Sequence, residues 1–135
     1  MLLNVQNPEE KIVGDVIAVH DSRESYAYPS EVKYQFSKNN QDDYIKAADF
    51  INASGSSACI IEHEFGIFGG QSGVYILSLA HKLKVPLIVT LHTILDKPCF
   101  MEKSIISGLG RYADKLVVMS HLGEKLLREI YEIPP

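Results

Sequence analysis

Four of the five histidines in this chain follow short apolar runs: His20 after VIAV, His63 after CII and Glu62, His92 after LIVTL, and His121 after LVVM and Ser120. An imidazole titrates near neutral pH, can act as acid or base, and can hydrogen-bond a sugar hydroxyl. If the apolar runs are strands of one parallel sheet, all four histidines lie along its carboxyl edge, where open α/β sheets bind ligands. His63 and His92 end strands joined by a single helix and are therefore expected to be neighbours on one rim, both facing an open hollow; they are the functional candidates. His20 and His121 suit surface or capping positions, and His81, among Lys82 and Lys84, is expected to face solvent. Glu62 and Glu64 flank His63, and on an extended backbone both acids face opposite it, which hinders joint use. His63, Glu64 and His92 would also make a set of two imidazoles and one carboxylate suited to divalent iron. Nothing else in the chain supports a metal, and none is expected. Gly66, Gly69 and Gly70 come next, just before a predicted helix, where bare backbone N–H groups favour a phosphate or polar ligand. The same glycines would also serve a tight turn, and they lack the spacing of a dinucleotide fingerprint. Phe65 and Phe68 are expected to pack the loop down.

The elements that hold these groups follow from apolar periodicity. Residues 58–61 and 87–91 read as buried strands, with a helix between them carrying Val74, Leu77, Ala80 and Leu83 on its apolar face. Upstream, residues 12–19 give a strand with an irregularity at Gly14 and Asp15. Pro29 lies in a turn-rich loop, and Val32, Tyr34 and Phe36 alternate as in a half-covered edge strand. Asn40 suits a helix cap, with Asp43 near the positive helix end, Tyr44, Ala47, Ala48 and Ile51 on one face, and Gly55 as a stop. Pro98 suits the first turn of a further helix with Met101, Ile105, Leu109 and Tyr112, weakened by Gly108 and Gly110. Residues 115–119 form a last buried strand. Ser120 caps a final helix with a stripe of Leu122, Leu126, Leu127 and Ile130, ended by Pro134 and Pro135. Residues 1–10 are polar and unpatterned, and suit a frayed start. Alternating strands and helices predict an α/β, Rossmann-like parallel sheet with helices on both faces.

Composition bounds the rest. The 135 residues suit a single domain with a sizeable core, and 46% hydrophobic with 22% charged residues is ordinary for a soluble globular chain. A net charge of −4 gives no electrostatic case for nucleic acid or an anionic membrane. Cys59 and Cys99 form no metal or disulfide pattern and are expected to be free thiols in a reducing compartment. The sequence has neither a secretory signal nor an apolar run near the roughly 20 residues that span a bilayer, so the expected location is the cytoplasm.

Three segments, EHEFGIFGGQSG, VPLIVTLHT and DKLVVMSH, resemble the amino-terminal domain of family 4 glycosyltransferases, retaining nucleotide-sugar-dependent enzymes of the two-lobed GT-B fold. The likeness runs over roughly residues 16–135 and is closest to the bacterial branch with His-Glu-Phe or His-Glu-Tyr followed by Gly-Ile-Phe-Gly-Gly. The resemblance implies that His92 is the catalytic-centre histidine, beside the transferred sugar and the incoming hydroxyl, with Thr93 next to it. It implies that His63, Glu64 and the loop through Gly66, Gly69 and Gly70 shape the acceptor side, and that Ser120 and His121 occupy the strand end nearest the cleft. It implies no cofactor and no obligatory metal, only a nucleotide-sugar co-substrate held mostly by a second lobe. Two departures go with it. The family's first strand, glycine-rich loop and helix are absent, as is the donor lobe. The chain is thus expected to be a partial acceptor-side lobe, used in glycan or polysaccharide assembly and inactive alone. The missing strand would sit between the first strand and residues 58–61. Its loss would expose ladder groups or bring its neighbours together, with self-association through the exposed sheet as the consequence. The alternatives are a non-catalytic glycan- or partner-binding module and, behind it, a metal-dependent hydrolase using His63, Glu64 and His92.

Overall fold

The computed structural model describes residues 13–21 and 26–135. The expected frayed start at residues 1–10, the first residue of the strand expected at 12–19, and part of the loop before Pro29 lie outside them. Strands alternate with helices in the order β1 (Val16–His20), β2 (Val32–Ser37), α1 (Gln41–Ala53), β3 (Cys59–His63), α2 (Ile76–Lys82), β4 (Leu87–Leu91), α3 (Phe100–Tyr112), β5 (Lys115–Val118) and α4 (His121–Glu129). All strand pairs are parallel, so the fold is the predicted Rossmann-like α/β arrangement. The strands form two separate sheets, β1–β2 and β3–β4–β5. Among the described residues no strand links the two sheets.

Alternation sets the burial of the larger sheet. Leu87, Val89 and Leu91 of β4 are buried, as is Ile61 beside them on β3. On the opposite face Ile60 and Val117 are exposed. The buried face meets a core that includes Ile76, Leu79 and Ala80 of α2 and Ile105, Ile106 and Leu109 of α3.

Local chemistry explains the helices, including where they depart from expectation. The Asn40 side chain accepts from the Asp42 N–H, and Tyr44, Ala47, Ala48 and Ile51 are buried as the periodicity predicts. The helix expected to bury Val74, Leu77, Ala80 and Leu83 instead starts at Ile76 and buries Ile76, Leu79 and Ala80. A short 3-10 turn at Gln71–Gly73 takes up the preceding residues and rotates the face. α3 begins at Phe100, with a capping box between Cys99 and Glu102, and runs unbroken through both of its glycines. Those glycines admit neighbours: a Cβ on Gly108 would lie 3.0 Å from Leu77, and one on Gly110 would lie 2.8 Å from Ile133. In α4 the Ser120 hydroxyl accepts from the Gly123 N–H at 3.0 Å. Leu122 of the predicted stripe is exposed, whereas Gly123 and Leu127 are buried, because the helix approaches Ile94 and Val118 through the bare Gly123 backbone.

Candidate functional site at the carboxyl rim of β3 and β4

The parallel register pairs Glu62 with Thr90 and His63 with Leu91. Just past the strand end the His92 N–H donates to the His63 carbonyl at 3.0 Å, so the two histidines are neighbours on one rim. Their side chains part company because successive residues of a strand point to opposite faces. His63 shares the phase of buried Ile61 and Leu91 and is fully buried, whereas His92 is one residue further on and exposed, so the two imidazoles do not face one open hollow as expected.

On the open side, His92 Nε2 lies 2.8 Å from Glu62 Oε2. An ionised carboxylate only accepts, so Nε2 donates to it, and when the ring is neutral Nδ1 is left as its acceptor. The Thr90 hydroxyl also donates to Glu62, at 3.4 Å. A second carboxylate pair stands alongside: the Thr93 hydroxyl donates to Glu64 Oε2 at 2.8 Å, and the Phe65 N–H donates to Glu64 Oε1 at 2.9 Å. The two acids flanking His63 thus hold the two residues that end TLHT, each by its own contact. With about half of each side chain exposed, the Glu62–His92 pair adds little to stability, and its effect is to orient the imidazole.

On the closed side, the His63 ring lies between Phe65, edge-on at 5.1 Å, and Phe68, stacked at 5.9 Å. Neither ring nitrogen has a hydrogen-bond partner. Burial holds the ring's pKa down to about 4; nearby Glu64 opposes that shift and His92 adds to it.

The glycine loop is built for close packing. A Cβ on Gly69 would stand 1.7 Å from the Lys38 carbonyl oxygen, and Gly70 takes a φ of +77°. The Gly69 N–H donates to the Tyr44 hydroxyl at 2.9 Å, which itself donates to the Lys38 carbonyl at 3.0 Å. The loop does not open directly onto the helix as the sequence suggests, since the 3-10 turn intervenes and α2 is short.

The remaining predicted positions have contacts of their own. Ser120 caps α4, and His121 is fully exposed, 3.7 Å from Glu124 on the same helix. His121 lines an open hollow of about 320 Å³ with Glu124, Lys125, Arg128 and Glu129. His20 ends β1 in the other sheet, its ring 5.9 Å from Tyr26. His81 is exposed, as expected, and rests edge-on against Tyr112. Among the described residues no group of three His, Cys, Asp or Glu side chains is placed to hold a metal ion, and no helix is long and apolar enough to cross a membrane. Glu62 is the residue the sequence reading left out of the site. Its signal was present, because in-register parallel pairing puts it beside Thr90, two residues before His92 and on the same face. No protein-family model, curated protein or solved structure matches this chain.

Proposed function

We propose that the chain is the acceptor-side lobe of a nucleotide-sugar-dependent retaining glycosyltransferase that acts in glycan or polysaccharide assembly. The observation that supports this reading best is the 2.8 Å contact between His92 and Glu62 on the exposed rim. It orients an imidazole whose neutral form presents Nδ1 as an acceptor, beside a second polar pair, Thr93 and Glu64. A sugar hydroxyl approaching His92 would donate to Nδ1, and hydrogen bonds that strengthen as charge develops would then assist transfer. His63, buried behind Phe65 and Phe68, acts in this reading as support for the rim rather than as a contact to sugar.

Donor contacts in such enzymes come mostly from a second lobe, so binding rather than turnover is the readout for these 135 residues. The test is an NMR titration of ¹³C-labelled histidine with a panel of mono- and disaccharide acceptors. At least one sugar should shift the His92 ring signals and leave His81 in place, and Glu62→Gln should weaken that binding severalfold while the fold is retained. A panel that moves neither His92 nor Thr93 would sink the reading. The exposure of the rim also suits a non-catalytic glycan-binding module. Adding a donor-binding lobe separates the two: the enzyme gains His92-dependent transfer, and the module gains none.

A further inference from the structure

We propose that His63 is a proton-operated latch on the loop of residues 65–73: its neutral ring, clamped between Phe65 and Phe68 with both nitrogens unpartnered, holds the loop closed, and protonation releases it. The device stands on the packing of the loop and does not depend on which ligand the rim takes. A neutral imidazole has one N–H donor and one acceptor, and here neither is satisfied. A protonated ring would carry a full charge and two unmet donors into a fully buried site, which is far more costly.

Glu64 attracts that charge, but burial outweighs it. Glu64, the next residue, already accepts from Thr93 and from the Phe65 N–H. His92, just past the end of β4, is held by Glu62 and when protonated repels a cation. From α1, the Tyr44 hydroxyl is committed to Lys38 and Gly69. Above about pH 4 the proton therefore enters mainly when the ring is uncovered. The loop has the means to lift, with Gly66, Gly70 and Gly73 all at positive φ. Two contacts at Gly69 hold it shut: its N–H to Tyr44, and its carbonyl, which accepts from the Tyr75 N–H at 3.2 Å. Lifting it would break the Phe65–Glu64 contact and so loosen the carboxylate that holds Thr93.

The direction of the pH effect follows from linkage. In the open loop the ring has an ordinary pKa near 6.5, and in the closed loop it is about 4. Between these values the open state binds a proton that the closed state does not. Closure is therefore strongest above about pH 6.5 and weakens as the pH falls toward 4.

The experiment is amide hydrogen exchange across residues 65–73 from pH 7.5 to 4.5, corrected for the intrinsic rate, together with NMR titration of the histidine ring protons. Protection of this loop should fall about tenfold per pH unit below about pH 6, with α3 unchanged. His63→Phe, which keeps a ring in the clamp but cannot titrate, should make loop protection independent of pH, whereas His81→Gln should leave the wild-type profile intact. The same profile in wild type and His63→Phe would overturn the proposal. So would a wild-type His63 that titrates near 6.5 without loss of loop protection, a result readable even if the Phe variant does not fold.

Discussion

The Tyr44 hydroxyl joins three parts of the chain, donating to the carbonyl that follows β2 and accepting from Gly69 in the loop after β3. Its ring meets Phe36 at 4.9 Å and Phe68 at 6.5 Å, the latter stacked on His63. Burial raises the Tyr44 pKa, with the Gly69 contact opposing, so the phenol stays neutral. Tyr44→Phe would keep the ring packing but leave a buried N–H and a carbonyl without their partner. Urea unfolding should show a loss of about 1–3 kcal/mol, and a variant as stable as the wild type would show that solvent satisfies both groups. Periodicity alone put Tyr44 on the buried face of α1. Its hydroxyl partners were not legible, because Gly69 lies 25 residues away and meets it only when the loop folds back. The Glu62–His92 contact was closer to legible: strand phase and an in-register pairing are enough to place both on the open face.

At the scale of elements, the segment between β3 and β4 differs most from its sequence reading. Three glycines before a helix suggested an anion cradle, yet the described loop turns through a 3-10 segment, with Ser72 at φ 55°, before α2 begins. Helix starts are weakly encoded where no cap residue marks them, and α2 has no side-chain cap. The glycines separate by their surroundings, which yields a paired prediction. Gly69→Ala places a methyl group 1.7 Å from the Lys38 carbonyl oxygen, so the backbone must move, and stability should fall by about 3 kcal/mol or more. Gly66→Ala has open space around it and suffers only its left-handed backbone, about 1–2 kcal/mol. Thermal unfolding of the two variants checks the order, and equal losses would mean that the loop adapts around position 69.

For the whole molecule, the division into two sheets has a consequence for association. Among the described residues each sheet ends in strands paired on one side only, and Ile60 of β3 and Val117 of β5 are exposed beside them. Unpaired strand edges next to apolar side chains are templates for pairing between chains. Self-association through the β3–β5 sheet is our proposal at this scale. Sedimentation velocity should show species heavier than the 15.1 kDa chain that grow with concentration. Ile60→Lys, which puts a charge on the exposed face without touching the core, should shift them toward monomer. A single 15.1 kDa species at every concentration would count against the idea.

By itself the sequence determined the order of strands and helices, the parallel α/β class, the buried face of α1 and the adjacency of His63 and His92, since each depends on the period of apolar residues and the direction of short connections. Only the tertiary structure decided that one imidazole is sealed between phenylalanines while the other meets Glu62 in the open, and that the strands divide into two sheets. The physical reason is the same in both cases. Period and chain direction are local properties, whereas the partner of a side chain or strand edge depends on which distant segment reaches it.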